Sequence, residues 1–425
     1  MIKTNKNKKL LENTIMLYIL TFSNYFFQFI AIPHQTRVLG PEIYGKIGFA
    51  LAFATYFKLL FDFGFILSAT EDVSKSREDK SEVAKILTSV NILKIILILF
   101  STILLIVLIN TVDVFKGDKL LYILYFAYIA IDAFQPDFLY RGLEMMRVIT
   151  IRNVLIKLFF TIMIFFLLKN QNQYYLVPIL NIIGSVLSIV AVYYHVFKKL
   201  NIKFIKVDIE KIKYTFNKSK IFFLSRIAST VYGATNTFIL GFIYPTGNML
   251  GYYSTSDKLL TAGRSALSPI SDSVYPYMVK NKDFKLIKKI LKIFMPIIII
   301  GCTVIGIFAE PVCVLLFGNE YAGSANILRL MLPIIAITLP SYLLGFPTMT
   351  PLGLEKQANL SVIIGSVYHA IVLVILLIIS KINVYSICAV TITTEIIILL
   401  SRIYYIRKHT KNTNKILWKN ESNEK

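Results

Sequence analysis

Long apolar segments separated by short polar connections follow one another along almost the whole chain. Segments such as 86–109, 284–309 and 362–380 hold roughly twenty mostly apolar residues, the number that a helix needs to cross the hydrocarbon core of a bilayer. We expect helices there because a helix satisfies its own backbone hydrogen bonds, which lipid cannot do. The pattern predicts about twelve spans, near 13–33, 43–67, 86–109, 119–139, 150–168, 174–197, 219–243, 249–278, 286–309, 326–348, 358–380 and 382–405.

The composition also indicates an all-α integral membrane protein. Of the 425 residues, 56% are apolar and 16% are charged, so the chain carries more apolar surface than a soluble core could bury. The N-terminal segment MIKTNKNKKLLENTIMLYIL resembles a secretory signal, but no small-residue cleavage site follows it. We therefore expect an uncleaved first spanning helix.

The basic residues fall mostly on one side of the predicted bundle. Assigning the connections alternately to the two sides of the membrane places about thirty lysines and arginines on the side of both termini and about six opposite. Anionic lipid explains such juxtamembrane lysines, so the formal net charge of +22 does not require a nucleic-acid partner. We expect a bacterial cytoplasmic (inner) membrane protein with both termini in the cytoplasm.

The sequence contains no recognisable catalytic, cofactor or metal motif. Cys302, Cys313 and Cys388 lie in or near apolar segments without CxxC spacing, and the histidines are scattered singly. HExxH, GxSxG and the phosphate-binding GxxxxGK[ST] are all missing from the sequence. We expect a protein that is not an enzyme, with no cofactor and no bound metal.

A basic stretch at residues 198–220 divides the predicted spans into six before it and six after it. Within it, Ile205, Ile209, Ile212 and Phe216 recur at helical spacing among lysines, which predicts an amphipathic helix on the cytoplasmic surface. The alternative is a disordered basic linker. The predicted domains are an N-terminal six-helix lobe (1–197), the linker (198–220), a C-terminal six-helix lobe (221–405) and a polar cytoplasmic tail (406–425).

The two halves begin with similar sequences, RVLGPEIYGKIGFALAFATYFKLLFDFG and ILGFIYPTGNMLGYYSTSDKLLTAGRSALS. Setting Gly45 against Gly251 places Lys58 against Arg264, because 58−45 and 264−251 are both thirteen. Parallel repeats recur in transporters, and their substrates bind between the repeats. The sequence therefore predicts two pseudo-equivalent lobes around a central cavity.

Polar stripes on the first two spans of each half provide the candidate substrate-binding residues. Charges in hydrocarbon are costly, so we expect them to face a hydrated interior. Lys58 and Arg264 would attract an anion such as a pyrophosphate, although Lys58 has an alternative role as the partner of Asp62, four residues on. The full candidate set is Asn24, Gln28, Thr55, Lys58, Asp62, Arg226, Asn236, Asp257, Lys258, Thr261, Arg264 and Asp272.

Two further carboxylates lie inside predicted spans, Asp132 in the fourth and Glu395 in the last. A carboxylate in hydrocarbon that changes its charge state is a candidate carrier for a coupling ion, H⁺ or Na⁺. The alternative is a structural pair with a cation such as Lys94, or with a backbone group.

Five segments carry a resemblance to a known family: RVLGPEIYGKIGFALA, FDFGF, FQPDFLYRGLEMMRVITIRN, ILGFIYPTGNMLGYYSTSDKL and VLLFGNEYAGSANILRLMLP. In kind and order they resemble the O-antigen flippases, polysaccharide repeat-unit transporters of the multidrug/oligosaccharidyl-lipid/polysaccharide superfamily. The resemblance implies a cationic cavity between two lobes, alternating access, and a polyprenyl-pyrophosphate-linked oligosaccharide as substrate. It also implies that transport is driven by an ion or potential gradient. The partners it implies are a polysaccharide polymerase and a chain-length regulator.

The predicted function is thus translocation of lipid-linked repeat units of O-antigen, capsule or a similar polysaccharide from the cytoplasmic to the outer leaflet. One alternative is a multidrug exporter, or an exporter of another lipid-linked precursor, of the same superfamily. An exporter of cationic drugs would need an acidic cavity. A second alternative is a membrane polysaccharide polymerase or ligase, but most external connections look too short to hold a catalytic loop.

Overall fold

The regular structure of the described residues is helical, with no strand among them. Contacts divide the chain into two compact units, Met1–Gly251 and Tyr252–Lys425, and each is described by itself. The computed structural model describes the backbone of residues 2–423 and the side chains of that range except 2–11, 14, 24, 224–232 and 411–423.

The helices of the first unit are α1 (Ile2–Asp62), α2 (Phe65–Lys75), α3 (Lys80–Thr111), α4 (Asp113–Lys116), α5 (Lys119–Asp132), α6 (Asp137–Gly142), α7 (Met146–Leu167), α8 (Leu176–Tyr194) and α9 (Ile209–Ile243). Helix α10 (Met249–Asn281) begins at the end of the first unit and continues into the second. The remaining helices are α11 (Phe284–Ile307), α12 (Ala309–Phe317), α13 (Ser324–Leu344), α14 (Phe346–Met349), α15 (Glu355–Ile378) and α16 (Val384–Asn423).

Eight helical segments of the described residues are long and apolar enough to cross a membrane. One of them, Ile15–Lys75, holds two of the predicted spans, while α5, α9 and α10 account for three predicted spans that are shorter or more polar. Large apolar side chains of α3, such as Leu99, Phe100 and Ile103, point outward, as lipid-facing residues do. The predicted all-α integral membrane fold is confirmed, and about twelve spanning helices fit it.

Helix α1 is interrupted at Gly40, between the first two predicted spans. Gly40 has φ 69° and ψ 168°, a conformation that glycine adopts without a Cβ clash. Pro41 follows it and has no amide hydrogen with which to continue the helical ladder. The motif LGPE therefore ends one span and starts the next.

The second part of α1 stops at Asp62, before the predicted span end at residue 67. Phe63 (φ 34°) and Gly64 (φ 79°) turn the chain into the separate helix α2. A Cβ at Gly64 would lie 2.7 Å from the carbonyl oxygen of Ser219, so α9 packs directly on this turn. The turn could not accept a larger residue at position 64 without moving α9.

The basic stretch 198–220 is attached to the first unit. Its residues from Ile209 onward form the start of α9, and Ile205 and Ile212 pack against the core of the unit. Lys218 lies 2.6 Å from Asp72. By its contacts, α9 belongs to the first unit, whereas the sequence predicts that the second lobe starts at residue 221. The lobe boundaries stay a prediction, because contacts between helices do not define a sequence repeat.

Candidate functional site

A polar cavity of about 280 Å³ lies inside the first unit. It is lined by residues of α1, α2, α3, α5, α6 and α7 and of the connection between α5 and α6. Four cationic and three acidic side chains line it, which leaves an excess of one positive charge. These side chains are Lys58, Lys94, Arg141, Arg152, Asp62, Asp132 and Asp137.

Aromatic packing between α1 and α5 positions the first ion pair of the cavity. The ring of Phe126 lies edge-on to Phe57 and Phe61, with centroids 5.1 and 5.6 Å away. This packing sets Lys58 opposite the last residue of α5, Asp132. Lys58 Nζ lies 3.0 Å from Asp132 Oδ2. The structure thus pairs Lys58 with a carboxylate from another helix.

The second oxygen of Asp132 is also engaged. Gln135 Nε2 donates a hydrogen bond to Asp132 Oδ1 over 2.6 Å. A carboxylate at a helix C-terminus lies near the negative end of the helix dipole, which is unfavourable unless cations offset it. Lys58 supplies one such cation, and Lys94 supplies a second.

Lys94 is a buried cation that binds the end of α5. Only 4% of the residue is exposed, and its Nζ donates to the carbonyl oxygen of Ala133 while lying 5.6 Å from the ring centroid of Phe138. The last carbonyls of a helix lack intrahelical partners, and a cation there is favourable. Lys94 therefore stabilises the C-terminal end of α5 where it borders the cavity.

The sequence FQPDFLYRG builds the opposite wall. Helix α5 ends before Pro136, and α6 starts at Asp137, whose carboxylate lies at a helix N-terminus. Arg152 of α7 donates from Nη1 to Asp137 Oδ1 over 2.6 Å. Arg152 is only 7% exposed, whereas 27% of the Asp137 side chain is exposed, so the arginine is the buried member of the pair.

Two guanidinium groups of the cavity have unused donors. Arg141 Nε and Arg152 Nε are both buried, and neither has a hydrogen-bond acceptor among the described residues. Buried polar groups are nearly always hydrogen-bonded, so these two Nε–H groups are exceptions within the described part of the chain.

The second unit contains another buried ion pair. Arg264 Nη2 of α10 lies 2.7 Å from Glu395 Oε1 of α16. About two turns further along α16, buried Arg402 donates to the hydroxyls of Ser341 and Ser361 over 2.9 and 3.1 Å. These interactions tie α16 to α10, α13 and α15.

The two aligned cations, Lys58 and Arg264, thus each have a carboxylate partner. Both partners, Asp132 and Glu395, are the residues that the sequence indicated as candidate ion carriers. They do not occupy equivalent places, because Asp132 lies in the fourth predicted span of its half and Glu395 in the last. The pairing is similar in kind in the two units, but the helices that supply the carboxylates differ.

Other predicted site residues are placed individually. Asn236 is buried; Thr55, Asp257 and Lys258 are half-buried; Gln28, Thr261 and Asp272 are exposed. Asn24 and Arg226 lie outside the residues whose side chains are described. The shared substrate site that the sequence predicts stays a prediction.

The sequence reasoning missed Asp137, Arg141 and Arg152 as cavity residues. The available signal was the charged pattern of FQPDFLYRGLEMMRVITIRN, in which Asp137 and Arg141 are one helical turn apart and Arg152 enters an apolar span.

Residues 10–282 match a family model described as polysaccharide biosynthesis protein. The chain belongs to this family. Two relatives named "Putative O-antigen transporter" are similar in sequence to this chain. The protein of Shigella dysenteriae is 27% identical over 363 residues, 84% of this chain and 90% of the relative. That of Escherichia coli (strain K12) is 24% identical over 295 residues, 68% and 70% of the two chains.

Solved structures show which fold this family member shares. An inward-facing multidrug resistance MATE family transporter of the MOP superfamily has a TM-score of 0.68, with 14% identity over 91% of this chain and 96% of the other. The lipid II flippase MurJ, in an inward closed conformation, has a TM-score of 0.66, with 13% identity over 93% and 87%. The chain therefore has the fold of MOP superfamily transporters.

Proposed function

We propose that this protein is a flippase that moves polyprenyl-pyrophosphate-linked oligosaccharide repeat units from the cytoplasmic to the outer leaflet of the bacterial inner membrane. The family match and two relatives named as O-antigen transporters support this substrate class. The observation that carries the proposal is a pair of cations, Lys58 and Arg264, each held by a carboxylate between apolar helices.

A pyrophosphate head group loses its water of hydration as it enters the membrane, which is costly for a charged group unless opposite charge meets it. Lys58 and Arg264 supply that charge. Their carboxylate partners keep each cation compensated when no substrate is bound. A substrate anion then competes with Asp132 or Glu395 for the cation, so binding stays modest and release remains possible.

Alternating access requires that the substrate bind better to one conformation than to the other, because equal affinity shifts no equilibrium. Asp132 and Glu395 give a route for coupling to H⁺. Protonation of either carboxylate would remove its attraction for the paired cation and leave that cation available to the pyrophosphate. Cytoplasmic termini, as the positive-inside pattern predicts, place the basic connections on the side where the substrate enters.

A multidrug exporter is the second candidate, since a MATE transporter shares the fold. The charge of the cavity in the first unit argues against cationic drugs, because cations outnumber carboxylates there. A polymerase or ligase is a weaker candidate, because the relatives are named as transporters.

The test is complementation of a flippase-deficient strain that makes the matching repeat unit, with variants expressed at equal membrane levels. We expect the parent protein to restore surface polysaccharide and Lys58→Ala or Arg264→Ala to abolish it. Lys116→Ala is the matched control, because Lys116 forms a surface pair with Asp113 at 2.7 Å. Failure of the parent would overturn the flippase proposal, and full activity of both variants would overturn the role of the cations.

A further inference from the structure

Helix α11 of the second unit carries a row of exposed lysines along one side. Successive residues of a helix are about 100° apart, so positions 285, 288, 289 and 292 fall within an arc of about 100°. This lysine row consists of Lys285, Lys288, Lys289 and Lys292, all of them exposed. The opposite side of α11 packs on the core of the unit through Ile287, Phe294 and Ile298. The lysine row therefore points away from the protein core.

The described protein leaves the four charges of the lysine row without a counter-charge. Helix α11 contains no Asp or Glu, and none of the four lysines forms an ion pair with a described residue. The carboxylate of Asp283, just before the helix, accepts hydrogen bonds from the backbone nitrogens of Lys285 and Leu286 over 3.1 and 3.3 Å. By contrast, Lys211 and Lys218 of the basic stretch 198–220 pair with Glu82 and Asp72.

The side of α11 that carries the lysine row continues as apolar surface. Ile299, Ile300 and Ile307 follow the row at helical spacing, and each is more than half exposed. In a chain that spans a membrane, such side chains contact acyl chains. One side of α11 thus presents positive charge next to lipid-facing apolar surface, which matches the negative headgroup and the acyl chains of an anionic phospholipid.

The uncharged part of α11 is shorter than the hydrocarbon core of a bilayer. From Ile293 to Ile307 there are fourteen steps (307−293), which at ~1.5 Å each give about 21 Å, against about 30 Å of hydrocarbon. Lys289 and Lys292 therefore lie near the level at which the acyl chains begin. Lysines at that level extend their amino groups toward the headgroups, where phosphate is the available anion.

We infer that the lysine row binds the headgroup of an anionic phospholipid, whose acyl chains lie along the exposed isoleucines of α11. The positive-inside pattern assigns this lipid to the cytoplasmic leaflet. A lysine ammonium is a compact charge on a flexible stem, so four of them can follow a headgroup without a fixed geometry. The inference does not depend on which molecule the protein transports.

Native mass spectrometry of the purified full-length protein in detergent tests this inference, with phosphatidylglycerol as the probe and phosphatidylcholine as the neutral reference. The test variant is Lys289→Gln with Lys292→Gln, which removes two charges and keeps polar side chains. The matched control is Lys203→Gln with Lys206→Gln. It removes the same net charge from exposed lysines of the basic stretch.

We expect the parent to bind phosphatidylglycerol more tightly than phosphatidylcholine. The test variant should bind phosphatidylglycerol about tenfold or more weakly, since each lysine near an anionic membrane surface contributes about fivefold. The control variant should bind as the parent does, and so should Lys289→Arg with Lys292→Arg, which keeps both charges. If size-exclusion chromatography shows that the test variant does not fold, Lys285→Gln with Lys288→Gln takes its place with the same expected loss.

Three results would overturn the inference. The parent could show no preference for phosphatidylglycerol, or the test variant could bind it as tightly as the parent does. The control variant could also lose as much affinity as the test variant, which would mean that net charge and not the lysine row attracts the lipid.

Polyprenyl pyrophosphate carries negative charge on a different tail and separates a phospholipid from a transported lipid. We expect the test variant to bind it as the parent does. If the test variant loses affinity for polyprenyl pyrophosphate and keeps its affinity for phosphatidylglycerol, the lysine row belongs to the transport path and the phospholipid assignment is wrong.

Discussion

Lys58 Nζ lies 3.0 Å from Asp132 Oδ2, although the two residues are 74 positions apart in the chain. The pair joins the second part of α1 to the end of α5 inside an apolar bundle. A cation in such a place depends on its partner, because removal of one member leaves the other charge uncompensated.

Asp132→Leu should therefore lower the stability of the folded protein more than the double substitution Lys58→Met with Asp132→Leu. We expect the single variant to cost about 1–2 kcal/mol, less than for a fully buried pair, because 45% of the Lys58 side chain is exposed. Thermal unfolding of the detergent-solubilised protein measures the difference. Equal loss in the single and double variants would mean that Lys58 left without Asp132 costs no stability. No coupling would be shown by a loss in the double variant equal to the sum of the losses in Asp132→Leu and Lys58→Met measured singly.

The pair of the second unit is more deeply buried, since the Glu395 side chain is only 4% exposed. Glu395→Gln preserves the shape and a hydrogen bond to Arg264 but cannot exchange a proton. We expect this variant to fold and to lose the acceleration of transport by an imposed proton gradient. Outward transfer of a fluorescent lipid-linked oligosaccharide in proteoliposomes measures this effect.

The control for that experiment is Glu310→Gln, which changes an exposed carboxylate of the same unit. It should respond to the gradient as the parent does. If transport by Glu395→Gln is still fully accelerated by the proton gradient, Glu395 is not the proton carrier. If a Na⁺ gradient and not a proton gradient accelerates transport by the parent, the coupling ion is Na⁺.

The sequence indicated the helices and the isolated intramembrane charges, because an apolar run and a charge within it are both local features. Lys58, Arg264, Asp132 and Glu395 were all recognised in this way. Their pairing was not predictable, since it depends on which helices pack together. The sequence reasoning considered Asp62 as the partner of Lys58, on the same helix, and the structure supplies Asp132 from α5.

Arg141 and Arg152 were missed for a different reason. Both lie near a connection on the predicted cytoplasmic side, where basic residues are common and need no functional explanation. The charged pattern of the segment was a weak signal, and the three-dimensional placement distinguishes them, because α6 places Arg141 at the cavity and α7 brings Arg152 beside Asp137.

The attachment of the basic stretch to the first unit should depend on pH. Lys211 Nζ donates a hydrogen bond to Glu82, at the first turn of α3, and this bond together with the charge of Lys211 lowers the pKa of Glu82 below its ordinary value. A lowered folded-state pKa means that the pair stabilises the fold at neutral pH. That stabilisation is lost as the pH falls through the folded-state pKa of Glu82.

We expect the effect to be small, about 0.2–1 kcal/mol, because the Glu82 side chain is 27% exposed. The hydrogen-exchange protection factors of residues 205–216, which are corrected for the intrinsic pH dependence of exchange, should fall more on acidification in the parent than in Glu82→Gln. The exposed Glu78 provides the control, and Glu78→Gln should behave as the parent does. Identical pH profiles for the parent and Glu82→Gln would show that this pair does not anchor the stretch.

Gly45 and Gly251, which the sequence alignment of the two halves sets against each other, lie in direct contact. A Cβ at Gly45 would lie 2.7 Å from the nitrogen of Gly251, and a Cβ at Gly251 would lie 2.0 Å from the carbonyl oxygen of Pro41. Both obstacles are backbone atoms, so neither can move aside as a flexible side chain would. The start of α10 therefore approaches α1 at a distance that only glycine permits.

Gly45→Ala and Gly251→Ala should each lower the free energy of unfolding by about 1–3 kcal/mol, the usual cost of an added methyl group in a closely packed place. Gly251→Ala should be the worse of the two, because its obstacle is nearer. Gly117→Ala is the matched control, since Gly117 has open space around it and a helical φ of −69°. If thermal unfolding finds all three variants alike, the close approach of α10 to α1 does not limit the stability of the bundle, and the two aligned glycines are not required by packing.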